Sequence, residues 1–126
     1  MQSTNKECGH LAEIRFILEA TKQGFTISQP FGAYHKYDYI LEHKGRLLRI
    51  QVKSSIMPKL SSGSYHVTIH AHKKYKQNSV DFIVIYIREE RSFFILPIAI
   101  LESRLTISIN RNNNLWGYKN RWDLLK

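Results

Sequence analysis

The longest uninterrupted apolar run, from Phe82 to Ile87, constrains the fold more than any other stretch. It falls far short of the roughly 20 residues needed to cross a bilayer, so no membrane partner is expected. Val80 to Ile87 instead reads as an almost continuous apolar strand. It turns at Glu89-Glu90-Arg91-Ser92 into a second strand at Phe93 to Leu96, and the two are expected to form the far side of a sheet. At 126 residues the chain can bury a real core as one domain, residues 1–126, and is too short for two comfortable ones.

Ahead of that sheet edge, residues 9–23 carry a helical pattern with Gly24 as its stop. At about 100° per residue, Arg15, Glu19, Lys22 and Gln23 gather on one polar side. Leu11, Ile14, Phe16, Ile17, Leu18 and Ala20 cover most of the rest. Glu13 falls in that apolar arc, beside Phe16, Ile17 and Ala20. A carboxylate turned toward a core must be paired, protonated or bound to a metal. A Glu at the core edge, bonded to a backbone group or an Arg, is the structural alternative.

After a short strand near residues 25–28, two alternating segments, residues 37–42 and 47–54, suggest a hairpin across His43-Lys44-Gly45-Arg46. Gly45 supplies the positive φ such a turn requires. With either a two-residue or a four-residue loop, paired residue numbers add to 89, which sets Asp38 opposite Gln51. Leu48, Ile50 and Val52 then face the core, while Arg49, Gln51 and Lys53 share the other side. Directly opposed residues have Cβ atoms roughly 5 Å apart, so Asp38 and Gln51 are within reach of one ion, with Lys53 two positions along. A three-residue loop would shift the register by one and destroy this alignment.

Further on, residues 65–72 alternate again, with Val67, Ile69 and Ala71 on one face and His66, Thr68, His70 and His72 on the other. Pro97 is placed to open a short helix through Glu102, residues 105–109 suggest another strand, and residues 116–125 a terminal helix or loop. A helix followed by a meander of strands and mixed elements predicts an α/β or α+β fold, with the N-terminal helix laid across a central mixed sheet.

Charge points to the partner. The net charge is +9, and from His43 to Val80 there are eight Lys or Arg, four His and no acid. A polyanion is implied, with nucleic acid leading and a merely soluble basic surface as the alternative. The lone Cys8 cannot form an internal disulfide, and the first ten residues hold no long apolar core of a signal peptide. A reducing, cytoplasmic and nucleoid-associated setting is therefore expected.

The residue types around the hairpin suit a hard divalent cation. Mg²⁺ takes oxygen ligands, keeps several waters, and is commonly held by one or two carboxylates plus a substrate phosphate. Asp38 is the expected principal ligand, with the Gln51 side-chain oxygen and the Val52 carbonyl as neutral ligands and Glu13 acting directly or through water. Mn²⁺ is expected to substitute. Lys53 would orient or help deprotonate the attacking water and offset charge growing on the phosphate.

Glu13 on the first helix, Tyr37-Asp38, and Gln51-Val52-Lys53 together resemble the PD-(D/E)XK nuclease superfamily, most of all its intron-encoded homing endonucleases, with Holliday junction resolvases as cousins. G-H-L-A-E at 9–13 is similar to the N-terminal motif of both groups, and V-D-F-I-V-I-Y from 80 and F-F-I-L-P-I from 93 extend the likeness. The resemblance implies a restriction-endonuclease-like core in which Asp38, Gln51 and Lys53 are catalytic and Glu13 assists metal binding. It also implies hydrolysis of duplex or branched DNA to 5′-phosphate ends. Tyr37 stands where the name-giving Pro would be, and Gln51 stands where most members carry Asp or Glu. The intron-encoded branch is known for a Gln at that position. A site with one formal charge fewer should hold its cation less tightly. One site cuts one strand, so double-strand cleavage implies a homodimer or homotetramer. A resolvase, a restriction-type nuclease and a non-catalytic DNA-binding module on the same fold are the alternatives.

Other features divide between two readings. His70 and His72 have a spacing that can grip a transition metal, but no Cys or nearby acid completes a set. They read instead, with His66, Arg49, Lys59, Lys73, Lys74 and Lys76, as a surface that touches phosphates. Tyr65 and Tyr75 would stack on bases or pack on the sheet edge. Asp81 reads as a structural acid. Gly32, Ala33 and Tyr34 read as a turn before Asp38 that either lets backbone approach DNA or is ordinary. Arg111, Lys119 and Arg121 extend the basic surface, and Trp116 and Trp122 belong to the core or to a subunit contact. Ser54 and Ser55 follow the lysine without a partnered His and Asp, which argues against a serine hydrolase.

Overall fold

The computed structural model describes residues 5–32, 34–55, 59–69, 79–101 and 104–126. The N-terminal helix α1 spans Asn5–Lys22 and closes on Gly24, whose φ of 91° is the left-handed conformation a helix stop favours. The Gly24 N–H donates to Thr21 and the Phe25 N–H to Ala20, satisfying carbonyls of the last turn.

Strands β1 (Thr26–Ser28), β2 (Tyr39–His43) and β3 (Arg46–Ser55) follow, β2 pairing antiparallel with both β1 and β3. Lys44 and Gly45, with φ of 50° and 82°, form the two-residue β2–β3 turn. Tyr39 pairs with Ile50 and His43 with Arg46, which is the expected register. Next come β4 (Tyr65–Thr68), β5 (Phe82–Ile87), β6 (Ser92–Pro97) and β7 (Thr106–Ile109).

The meander expected from the sequence does not form. The main sheet runs β1-β2-β3-β5-β6, and β5 lies parallel to β3, a pairing that requires a long crossover. β4 leaves this sheet and pairs with β7 as a separate antiparallel ribbon. The reason lies in β5, all six of whose residues are buried, so that both sheet faces must be covered. On one face α1 packs with Phe93, Ile95 and Trp122; on the other lie Val67, Ile107 and Ile109 of the ribbon.

Helix α1 touches the sheet along a narrower stripe than its wheel predicts. Ala12, Phe16 and Ala20, four residues apart, are buried, whereas Leu11, Ile14 and Leu18 are 50%, 48% and 57% exposed. Two alanines let the helix sit close, and Phe16 fills the remaining space by stacking on Tyr39 and Trp122, each with centroids 5.8 Å away. Trp122 is thus core. Trp116 lies half-buried against Phe94 of the second face. Beyond Pro97, residues Ile98–Leu101 form a 3₁₀ turn, and the C-terminal segment holds two more, Asn114–Tyr118 and Trp122–Leu125.

Candidate active site

Asp38 sits one residue before β2, where that strand parts from β3. Its N–H donates to the Ile50 carbonyl at 2.8 Å, although Ile50 is already the partner of Tyr39. Two residues of one strand against one of the other is the count of a β-bulge, a device that re-aims a side chain. Asp38 therefore does not simply continue the ladder opposite Gln51. Its Oδ2 reaches further along and accepts the Val52 N–H at 2.8 Å. Within a strand residue the N–H and C=O project to the same edge, so the Val52 carbonyl lies on Asp38's side of β3.

Three groups act on this carboxyl. Burial pushes Asp38 up from 3.8 to about 6; the Val52 N–H opposes the shift, the charge of Glu13 adds to it, and that of Lys53 subtracts. The helix glutamate is fixed in turn, because Glu13 Oε1 accepts the Tyr39 hydroxyl at 3.1 Å. Burial and the adjacent Glu13 raise Tyr39, which stays a phenol and a donor. Lys53 is half-buried, and burial holds its ammonium below the usual lysine range while Asp38 partly restores it. Gln51, also half-buried, lies on the Lys53 side of β3.

The structure thus groups Glu13, Asp38 and Lys53 electrostatically, with Val52 bonded to Asp38 and Gln51 next in the chain. Tyr39 was missed by sequence reasoning. The signal for it is a phenol next to Asp38 on the face that α1 covers.

The donor set can be tested against a hard cation. Among the described residues no three His, Cys, Asp or Glu side chains cluster as metal ligands. Among the described residues two carboxylates are available here, Glu13 and Asp38, each with one oxygen already accepting a hydrogen bond. Val52, whose N–H is bonded to Asp38, and Gln51, next to it in the chain, offer a carbonyl and an amide oxygen as neutral donors. An all-oxygen set of two acids and two neutral groups fits Mg²⁺ or Mn²⁺ with water and phosphate completing the shell, and does not fit a thiolate- or imidazole-seeking metal.

Several expected surface contacts have other partners. Arg49 holds Asp81 through its N–H at 2.7 Å, its Nε at 3.2 Å and an Nη at 3.1 Å, tying β3 to the entry of β5. Asp81 is the structural acid expected. Tyr65 is buried and donates to Glu90 at 2.6 Å, so it packs rather than stacks on bases. Lys119 pairs with Glu90, Arg121 with Asp123, and Arg111 lies over Trp116. Lys59 and His66 are exposed. Ala33, His70, His72, Lys73, Lys74, Tyr75 and Lys76 lie outside the described residues.

A family model described as PD-(D/E)XK endonuclease matches residues 3–122. Among solved structures the chain is similar to a bacterial homing endonuclease, with 29% identity, a TM-score of 0.83, and coverage of 99% of this chain and 92% of that one. It is also similar to Hjc, a Holliday junction resolvase from the archaeal hyperthermophile Archaeoglobus fulgidus, at 14% identity and a TM-score of 0.61, covering 92% of this chain and 93% of that one. The second likeness is one of fold alone. No curated protein sequence matches the chain. The five-stranded mixed sheet under one helix is the restriction-endonuclease-like α+β core that the sequence led us to expect. With nearly its whole length accounted for by one nuclease model, the chain belongs to the PD-(D/E)XK endonuclease family.

Proposed function

We propose that the protein is a divalent-metal-dependent endodeoxyribonuclease of homing type, hydrolysing DNA to 5′-phosphate ends with Glu13, Asp38, Gln51 and Lys53 as its site. One observation carries this reading: the Asp38 carboxylate is pinned to the Val52 N–H at the strand divergence, under the opposing charges of Glu13 and Lys53. Asp38, Glu13, the Gln51 amide oxygen and the Val52 carbonyl would hold Mg²⁺, with Mn²⁺ substituting. The cation, when bound, would supply Lewis-acid polarisation of the phosphoryl oxygen and a more acidic water.

The chain's own groups do the rest. Val52 N–H and the bulge orient Asp38, and Tyr39 orients Glu13. Lys53 Nζ, whose pKa burial lowers, accepts a proton from the attacking water or, when charged, donates to a phosphoryl oxygen. The water oxygen bonds to phosphorus as the P–O3′ bond breaks. The phosphate stays on the 5′ side, and the 3′ oxygen takes its proton from solvent.

DNA, duplex or branched, is the proposed partner of a homodimer or homotetramer, in a cytoplasmic, nucleoid-associated setting. No helix among the described residues is long and apolar enough to cross a membrane. Arg49, Lys59, His70, His72, Lys73, Lys74 and Lys76 remain the proposed basic contacts, with Arg49 acting from its bond to Asp81. Gln51 in place of an acid favours a second reading, a DNA-binding module without activity. Supercoiled DNA with Mg²⁺ separates the two. Nicking that Asp38→Ala and Lys53→Ala abolish supports the nuclease, and wild-type protein that never nicks sinks it. Comparing a long-site library, short palindromes and a four-way junction then tells homing, restriction and resolving activities apart.

A further inference from the structure

The loop from β1 to β2, residues 29–38, carries two aromatic rings that the nuclease reading leaves unused. Phe31 is 96% exposed and Tyr34 83%, more than any other large apolar side chain among the described residues. The turn that presents them is braced. Gly32 has a φ of 97°, and a Cβ there would stand 2.7 Å from the Tyr34 ring, so glycine is what lets that ring lie against the turn. The His35 Nε2–H donates to the Phe31 carbonyl at 2.9 Å. Tyr34, His35 and Tyr37 follow one another ring against ring, with centroids 4.7 and 5.5 Å apart, and Tyr37 packs against the second core face. Phe31 is thus held outward by a turn anchored in the core.

The place of the ring bears on what it meets. Tyr37, the anchor, immediately precedes Asp38, and the three residues from His35 to Asp38 span at most about 11 Å. With the His35–Phe31 bond closing the turn, the Phe31 ring stands well within one duplex turn, about 34 Å, of a phosphate bound at Asp38. A second copy of the chain seated on Phe31 would crowd the strand divergence that a nucleic acid has to reach. From Ala20 to Tyr37 the sequence has no acid, and Lys36 in the loop is exposed. An exposed ring beside a cation, with no carboxylate between them, suits bases flanked by phosphates better than an apolar protein surface.

Resting on the nuclease reading, we propose that Phe31 is a DNA wedge, whose ring enters the duplex near the cut site and stacks between two neighbouring base pairs. Gly32, Tyr34 and His35 are its positioning residues. The ring has no donor or acceptor with which to read base edges, so it selects steps that open easily, pyrimidine–purine steps first.

The test is equilibrium binding of a labelled random-sequence duplex by full-length protein carrying Asp38→Asn, without divalent metal, across a range of salt. Phe31→Ala should weaken binding about tenfold and, since no charge is removed, leave the log–log salt slope unchanged. Its circular-dichroism melt should match that of its parent, because the ring it removes is exposed. Leu18→Ala, which trims an exposed apolar side chain from α1, should leave the affinity as it was. Phe31→Trp supplies the direct readout over half-buried Trp116 and buried Trp122. Saturating DNA should quench its added emission and shield it from acrylamide, and without DNA that emission should stay accessible at every protein concentration. Full affinity in Phe31→Ala, an equal loss in Leu18→Ala, or an emission that DNA leaves unchanged overturns the wedge. Shielding without quenching puts the ring on the sugar–phosphate backbone and overturns insertion; shielding that grows with protein concentration in the absence of DNA means a contact between copies and overturns the DNA assignment. Nicking by the wild type beside an unquenched Phe31→Trp defeats the wedge and leaves the nuclease reading standing, whereas the predicted quenching beside a wild type that never nicks does the reverse.

Discussion

Asp38→Asn should make the metal-free protein more stable while removing its nuclease activity. Folding holds Asp38 half-buried with its carboxyl raised from 3.8 to about 6, chiefly by burial and then by Glu13. Every tenfold gain in proton affinity corresponds to about 1.4 kcal/mol, so a fully shielded carboxylate would destabilise the neutral-pH fold by roughly 3 kcal/mol. Solvent around a half-buried group screens part of this, which leaves about 1–2 kcal/mol. Asn keeps the acceptor for the Val52 N–H and removes the repulsion with Glu13, so most of that energy should be recovered. For a chain of this size the gain is about 4–8 °C in Tm.

The pH dependence has a definite sign. A carboxyl whose folded pKa is raised contributes stability that is full below its unfolded pKa and lost as pH rises through the folded value. The wild type should therefore match Asp38→Asn near 3.8, fall behind it up to about 6, and trail by a constant margin above that. Circular-dichroism melts of both proteins in chelator across this range provide the assay. A variant less stable than wild type at neutral pH, or a margin that does not change with pH, would refute the assignment of Asp38 as a strained, functional carboxylate.

Other expectations follow from the packing and the charges. Phe16→Ala, which removes a fully buried ring stacked on Tyr39 and Trp122, should cost about 3–5 kcal/mol in denaturant unfolding. Asp81→Asn should cost about 1–2 kcal/mol at neutral pH, since the side chain is 30% exposed. Burial alone would raise Asp81, but the hydrogen bonds and charge of Arg49 outweigh it and hold the carboxyl below its ordinary range. That contribution is present above the usual carboxylate pKa and disappears as pH falls through the lowered value, so the two proteins should converge in acid melts. A groove crossing about four phosphates should lose about a hundredfold in DNA affinity between about 50 and 200 mM salt; salt-independent binding would count against a DNA partner.

Much of this geometry was legible because it is local. The Lys44-Gly45 turn and the alternation from Leu48 to Val52 sufficed for the hairpin register, and the apolar run at Phe82 sufficed for β5 and its return through β6. Alternation at Tyr65 to Thr68 states that one face is buried but not which strand it pairs with, so the departure of β4 to β7 was not legible. The helix wheel located an apolar arc but not its width of contact, which the close approach at Ala12 and Ala20 decides. At the site, Glu13, Asp38 and Lys53 were legible by residue type and spacing. The bulge at Asp38 and the Tyr39–Glu13 bond were not, because both depend on where β2 leaves β3 beneath α1.

The most direct test of the Asp38-centred cation site is a Mn²⁺ titration of the purified chain, followed by the paramagnetic resonance of free Mn²⁺. Saturable binding at one site per chain is predicted, tighter in Gln51→Glu, which restores the missing charge, and lost in Asp38→Asn. Binding that Asp38→Asn leaves intact, or that Gln51→Glu does not alter, would contradict it.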